Sequence, residues 1–123
     1  MNHSAKAGES TRRKVMGDSF VDAAMGGANF FTAPLQDFIN EHAWGSVWQR
    51  GTLDLKTRSL VTLAMLAAMG RSQELKGHLR GAINNGATPE EIREVLLHAA
   101  VYCGVPLAAE ALKTAAEVLA TPQ

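Results

Sequence analysis

A helix start signal at residues 88–91, which read Thr-Pro-Glu-Glu, is the sharpest structural signal in the sequence. Threonine can cap the free backbone amides of a helix, proline is tolerated in the first turn, and a glutamate three residues after the cap completes a capping box. The apolar residues that follow at helical spacing are Ile92, Val95, Leu96 and Ala99. The stretch up to Gly104 is therefore predicted to be an amphipathic helix.

Similar signals divide much of the remaining chain into helices. Pro34 lies where a first-turn proline is tolerated, and Asn85-Gly86 is typical of a helix end because glycine accepts a left-handed conformation. The predicted helices run from Pro34 toward Trp48, over residues 55–69, from Ser72 to Asn85, over 89–103 and from about Leu107 to Leu119. No convincing run of alternating apolar and polar residues predicts a strand. We therefore expect an all-α fold of about six helices.

The helix predicted over residues 55–69 is apolar enough to be buried in the protein but too short to cross a membrane. After Lys56 and Arg58 the helix over residues 55–69 carries no charge, which is typical of a helix buried on most of its sides. The uncharged run is nevertheless too short to span a bilayer.

Residues 1–11 are polar and lack the apolar core of a signal peptide. They are predicted to form a flexible tail ahead of a single domain over residues 12–123.

Charge and cysteine content exclude several classes of protein. Lys plus Arg and Asp plus Glu number 12 each, so nothing suggests a nucleic-acid-binding surface. Cys103 is the only cysteine, so neither an intrachain disulfide nor a CxxC redox pair is possible. A chain of this composition is expected to be soluble and cytoplasmic, with neither a nucleic acid nor a membrane as its partner.

Two Glu/His pairs are the first candidates for chemistry. Glu74 and His78, and likewise Glu94 and His98, are four residues apart and so share a helix face. A carboxylate beside an imidazole raises its pKa and fixes its tautomer, which suits a general acid. Each pair could equally be an ordinary surface pair. The two pairs could also face one another across a pocket, but their spacing differs from the Glu-x-x-His pattern of metal sites in helical bundles, so no metal is expected.

Arg58 and two tryptophans are further candidates. Arg58 lies in the first turn of its helix, where the helix dipole disfavours a cation, so an anion is expected nearby. That anion could be a substrate carboxylate or the side chain of Asp54, four residues away. Trp44 and Trp48 share a face and are typical of packing or of a subunit interface. Cys103 is more typical of a small buried apolar residue than of a nucleophile.

Several ordered segments of the chain resemble a known family. They read RRKVMGD at 12–18, AWG at 43–45 with Trp48, GTLDLKTRSL at 51–60, ELKGH at 74–78, NNG at 84–86 with the capping box, and HAAVYCGVP at 98–106. Together they resemble the γ-carboxymuconolactone decarboxylase family over nearly the whole chain. The resemblance implies an alkyl-hydroperoxidase-D-like all-α fold, usually hexameric, and cofactor-free conversion of 4-carboxymuconolactone to 3-oxoadipate enol-lactone and carbon dioxide in protocatechuate degradation.

Two departures from related sequences bear on the chemistry. A peroxidase branch of the same superfamily carries a C-x-x-C-x-x-x-H motif, and alignment on His78 places its cysteines at Arg71 and Glu74, so thiol peroxidase chemistry is not expected. Family decarboxylases often read P-A-A-N where this chain reads Pro-Leu-Ala-Ala at 106–109. Ala109 in place of asparagine bears on the identity of the substrate more than on the fold.

The resemblance and the helical spacing together suggest a role for each candidate residue. His78 is predicted to donate the proton and Glu74 to orient it, although these two roles could be exchanged. Arg58 and His98 are predicted to bind a carboxylate or oxyanion, and Trp44 and Tyr102 to line the pocket. The expected substrate is a small lactone dicarboxylate that acts as its own electron sink. The alternatives are a related enzyme for another lactone or carboxylated ring, and a non-catalytic helical oligomer that binds a small acid.

Overall fold

A computed structural model describes residues 3–120, without the side chain of His3. The chain forms two compact units, Met1–Leu55 and Lys56–Gln123. The predicted all-α fold is confirmed: the described residues form seven α-helices and no strand. The α-helices are α1 (His3–Met16), α2 (Asp18–Gly26), α3 (Ala33–Phe38), α4 (Leu55–Ala68), α5 (Ser72–Asn84), α6 (Pro89–Cys103) and α7 (Val105–Leu119). Among the described residues, none of the helices has the length and apolar character that a bilayer crossing requires.

The first unit begins with a helix where the sequence predicted a tail. Residues 3–11 form the first part of α1, whereas Met1 and Asn2 lie outside the described residues. Ala5 and Gly8 are buried on one face of this helix. A Cβ on Gly8 would overlap the backbone oxygen of Asn40, so glycine is what allows the two backbones to approach this closely. The assignment of residues 12–123 to a single domain stays a prediction.

The helix predicted from Pro34 toward Trp48 is broken into three short pieces. After α3 the backbone widens into a π-helical turn, Ile39–Trp44, and a 3-10 turn follows at Val47–Gln49. The Gln49 amide holds this region to α1, because its Nε2 donates to Thr11 Oγ1 at 2.7 Å and to the Trp44 carbonyl at 2.9 Å. Buried apolar side chains complete the core of this unit and include Val15, Met16, Val21 and Trp44.

The second unit packs α4, α5, α6 and α7 around one apolar core. Its fully buried members are Leu63, Leu75, Leu79, Ile92 and Leu96. As expected from its lack of charge, α4 is buried or half-buried on most of its sides. Ser59, Leu63 and Ala67 are buried on one face. Val61 and Met65 on the opposite face are exposed, Met65 at 59%.

The predicted helix boundaries of the second unit are largely confirmed. Thr88 Oγ1 accepts a hydrogen bond from the Glu91 amide at 3.1 Å, and the Glu91 carboxylate accepts one from the Thr88 amide at 2.9 Å, which completes the capping box. Gly86 ends α5 with φ +94°, and the Ala87 amide donates to the Ala82 carbonyl at 2.9 Å. The last helix begins two residues earlier than predicted, because Pro106 is accommodated in its first turn.

Candidate active site

A groove between α4 and α6 is the best candidate for a ligand site in the second unit. Its volume is about 660 Å³, and its walls are predominantly apolar. The lining residues are Ala64 of α4 and Glu94, Val95, His98, Ala99, Tyr102 and Cys103 of α6. The α6 residues recur every three or four positions, so one continuous stripe of that helix forms the wall.

The structure brings three of the sequence candidates together in this groove. The rings of His98 and Tyr102 lie 5.0 Å apart between centroids at an angle of 43°. Glu94 lies one helical turn before His98 on the same stripe, and its Oε2 also accepts a hydrogen bond from Arg93 Nε at 3.3 Å. Tyr102 is 77% exposed, so solvent reaches the groove along this edge.

Glu74 is held at the start of α5 by a different partner from the one predicted. Arg71 Nη2 lies 2.6 Å from Glu74 Oε1, and both side chains are exposed. The hydrogen bond from Arg71, together with one from its own backbone amide, lowers the pKa of the Glu74 carboxyl. The carboxylate is therefore ionised at neutral pH. Contact with His78, four residues later on the same helix, would compete with the contact to Arg71.

His78 and Arg58 are half-buried residues of the second unit that do not line the groove. His78 lies on α5 beside the fully buried Leu79, and its Nδ1 atom is itself buried. Arg58 lies in the first turn of α4, and its Nε atom is likewise buried. The next residue, Ser59, accepts a hydrogen bond from Asn85 Nδ2 at 2.9 Å, which fixes the start of α4 to the end of α5.

An ion pair connects the start of α4 to the start of α6. Lys56 Nζ lies 2.8 Å from Glu91 Oε2, and this contact is the main reason that the pKa of the Glu91 carboxyl is lowered. Glu91 is also the capping-box glutamate, so one carboxylate serves both the helix start and the contact between helices. The backbone that carries Arg58 is therefore held from two directions.

Trp44 lies in the first unit, where it is 5% exposed. Its ring stacks on Trp48 with 4.4 Å between centroids and 27° between planes. This burial matches the packing interpretation of the two tryptophans. The suggestion that Trp44 lines a substrate pocket stays a prediction.

Cys103 was misjudged from sequence. It was expected to be a small buried residue, but it is exposed at the end of α6 and lines the groove. Its spacing from Val95 and Ala99 places it on the same helix stripe, and that spacing was the available signal for its place in the groove.

Within residues 3–120, no group of three or more His, Cys, Asp or Glu side chains is arranged to hold a metal ion.

Comparison with known proteins identifies the family to which the chain belongs. The family model described as "Carboxymuconolactone decarboxylase family" matches residues 33–117, a stretch that includes the whole groove. A nitrosuccinic acid decarboxylase of Metarhizium robertsii is 51% identical over 105 residues, which cover 85% of this chain and 73% of that protein. A 4-carboxymuconolactone decarboxylase of Acinetobacter baylyi is 43% identical over 113 residues, 92% of this chain and 84% of the relative. The chain therefore belongs to the carboxymuconolactone decarboxylase family.

Proposed function

We propose that this protein is a cofactor-free decarboxylase of a small carboxylic acid, with 4-carboxymuconolactone as its first candidate substrate. The observation that carries the proposal is the 43% identity to a 4-carboxymuconolactone decarboxylase over 92% of this chain. The groove that contains His98 and Tyr102 lies inside the family-matched segment and supplies a site of suitable volume for a small acid.

The reaction places few chemical demands on the protein. The bond between the ring carbon and the leaving carboxylate breaks, and its electron pair moves through the ring double bond onto the lactone carbonyl. Carbon dioxide leaves, and an oxyfuran-like dienolate remains. A proton is then added to the ring carbon next to the carbonyl, which gives the enol-lactone. The enzyme must hold a dianion, stabilise the developing oxyanion and deliver this proton.

His78 is the proposed proton donor, and Glu74 is its proposed orienting partner. These roles rest on the family resemblance and on their helical spacing, since neither residue is among those that line the groove of a single chain. The lowered pKa of Glu74 supports this division of roles, because a carboxylate that stays ionised at neutral pH is a poor acid. The negative charge of Glu74 would favour the protonated imidazole that the step requires. In this proposal His78 competes with Arg71 for the Glu74 carboxylate, which Arg71 contacts at 2.6 Å.

His98, Tyr102 and Arg58 are the proposed substrate-binding groups of the second unit. His98 and Tyr102 bring hydrogen-bonding groups into walls that are otherwise apolar, and apolar walls strengthen the electrostatic contacts that the site makes. Arg58 is proposed to bind a carboxylate, which its planar guanidinium can contact through two parallel hydrogen bonds. The hydrogen bond between Asn85 and Ser59 and the ion pair between Lys56 and Glu91 support this role, because they hold the backbone on both sides of Arg58.

The groove of a single chain is open, and we propose that identical subunits cover it in a cytoplasmic homo-oligomer, a hexamer by resemblance to the family. Exposed apolar side chains on α4 and α6 support this proposal, since such surface in a soluble protein commonly marks an interface. They are Val61 and Met65 of α4, Met69 directly after it, and Leu97, Val101 and Tyr102 of α6. Light scattering that shows a monomer at micromolar concentration would contradict it.

Nitrosuccinate is a second candidate substrate, favoured by the 51% identity to a nitrosuccinic acid decarboxylase. Its nitro group can accept the electron pair from the breaking carbon–carboxylate bond, which gives a nitronate, and protonation at carbon then completes the reaction. The same groups of the protein would serve both substrates. Ala109, which stands where family decarboxylases often have asparagine, is exposed on α7 outside the groove lining.

The deciding experiment offers each acid separately to the purified protein with EDTA present, and measures carbon dioxide release and ultraviolet absorbance. Rapid turnover of the lactone supports the first candidate, and turnover of nitrosuccinate alone supports the second. If neither acid reacts but another lactone in a panel does, the sequence-based alternative of a different lactone is correct. Binding without turnover of any acid would indicate a non-catalytic oligomer.

Variants test the proposed roles once a substrate is known. His78→Ala is expected to lower kcat/KM by about a hundredfold or more, the usual effect of losing a general acid. The matched control is His42→Ala, since His42 is exposed in the first unit, and this variant is expected to keep the activity of the unmodified protein. If His78→Ala and Glu74→Gln both retain near-normal kcat/KM, the assignment is wrong.

A further inference from the structure

Arg12 is a buried cation in the first unit that the proposed reaction does not use. Its side chain is 5% exposed, although arginine is rarely buried without an ionic partner. Nη1 donates to Gln36 Oε1 at 2.9 Å and to Asn40 Oδ1 at 3.1 Å, and Asn40 is fully buried. We name these three residues the Arg12 cluster. The cluster could not be predicted from the sequence because its contacts join residues 24 and 28 positions apart.

The carboxylates of this region pair with the neighbouring arginine instead. Arg13 lies 2.9 Å from Glu9, 3.1 Å from Asp18 and 2.9 Å from Asp22. Within residues 3–120, Arg12 makes no direct ion pair, and both of its hydrogen bonds go to neutral amide oxygens. The Glu9 carboxylate acts on Arg12 only at longer range, where it opposes the effect of burial on the Arg12 pKa. Burial lowers the pKa of the Arg12 guanidinium, but an arginine side chain still keeps its charge at any physiological pH.

A buried charge without a directly paired anion is unfavourable, so the burial of Arg12 calls for an anionic ligand. The geometry suits an anion. A guanidinium carries five N–H groups, and the two contacts to amides both use Nη1. The Nε and Nη2 edge is the one that contacts a carboxylate side-on through two parallel hydrogen bonds.

The backbone around the Arg12 cluster is also unusual. Asn40 belongs to the π-helical turn Ile39–Trp44, and π-helical turns are rare and occur frequently at functional sites. The turn lies against α1 so closely that Gly8 has no room for a side chain. The Asn40 amide is therefore presented from a closely packed backbone, and Gln36 of α3 holds the same guanidinium nitrogen, so the two amides orient the guanidinium in advance of any ligand.

We propose that the Arg12 cluster is a binding site for the carboxylate of a small organic acid. Arg12 contacts the carboxylate through Nε and Nη2, while Gln36 and Asn40 hold the guanidinium in place through Nη1. The choice of a carboxylate as the anion rests on the proposed function, whereas the need for an anion rests on the burial of Arg12 and on its direct partners being neutral amides.

Succinate is the probe, and its binding to the intact protein is measured by titration calorimetry. Because Arg58 is also proposed to bind a carboxylate, the comparison is made between Arg58→Met and the double variant Arg58→Met with Arg12→Met. We expect the second change to weaken succinate binding at least tenfold. Arg13→Met in the same background is the matched control and should change the affinity less than twofold.

Gln36→Glu keeps the test decisive if the double variant does not fold. It places a carboxylate beside Arg12 Nη1, so it should raise the melting temperature without ligand and weaken succinate binding at least tenfold. No detectable binding of millimolar succinate to the unmodified protein would overturn the proposal. Equal weakening by the Arg12 and Arg13 variants would also overturn it. Because binding is measured without turnover, an inactive protein that binds succinate through Arg12 refutes only the proposed function.

Discussion

Replacement of Leu79 by alanine tests the packing that holds α5, the helix that carries Glu74 and His78. Leu79 is 0% exposed and lies in the core of the second unit with Leu63 and Leu96. The substitution removes three buried carbon atoms and leaves a space that the surrounding side chains fill only in part. His78 lies next to Leu79 in sequence, so the variant also shows whether the position of the proposed acid depends on this core.

The expected loss follows from the complete burial of the side chain. Leucine-to-alanine changes at such positions reduce the free energy of unfolding by about 3–4 kcal/mol. In a chain of 123 residues, each kcal/mol lowers the melting temperature by about 4 °C, which gives a fall of about 12–16 °C. Leu53→Ala is the matched control because Leu53 is exposed, and it should change stability by less than about 0.5 kcal/mol.

Urea denaturation followed by circular dichroism measures the loss, at one fixed protein concentration because subunit association would add to the apparent stability. Both tryptophans lie in the first unit, so fluorescence reports on that unit separately. Well below its melting temperature the variant should keep most of its decarboxylase activity. A loss of less than about 1 kcal/mol, or one no larger than that of Leu53→Ala, would refute the packing argument.

Three further predictions concern helix ends, pH and close backbone packing. Thr88→Ala removes the side-chain cap of α6 and should cost about 1 kcal/mol in urea denaturation, and a cost near zero would contradict the capping-box argument. The folded-state pKa of Glu91 is lowered, so its contribution to stability is present above the ordinary glutamate pKa of about 4.3 and is lost as the pH falls through the lowered value. Lys56→Met should therefore flatten the acid limb of a plot of melting temperature against pH, and an unchanged acid limb would show that the contact is unimportant. Gly8→Ala should destabilise by about 1–3 kcal/mol because its Cβ would overlap a backbone oxygen of the π-helical turn, whereas Gly26→Ala, which has open space, should be nearly neutral; equal effects would contradict the close approach.

The elements that could be predicted from the sequence are those whose causes are local. The capping box at Thr88 and the helix end at Gly86 depend on hydrogen bonds that span three to five residues, so the sequence contains the whole signal. The helix at residues 3–11 was missed because its stabilising contacts are distant. Gly8 packs against the π-helical turn, and Arg12 binds Gln36 and Asn40.

The candidate site shows the same division between local and distant causes. Helical spacing placed Glu94 and His98 on one face, the family resemblance added Tyr102, and the structure brings all three to one groove. The exposure of Cys103 could not be predicted, because burial of a helix face depends on which element packs against it. For Glu74, partners at two positions lie within helical reach, and the pairing with Arg71 reflects a guanidinium that is always charged.

The contact between Arg71 and Glu74 lies at the start of α5. By the resemblance seen in the sequence, these two positions align with the pair of cysteines of a peroxidase branch. A backbone amide at this helix start helps to keep Glu74 negative, and helix starts stabilise a thiolate in the same way. The start of α5 thus favours a negative charge at position 74. In a related chain with cysteine at this position, we expect the same helix start to lower the pKa of the thiol.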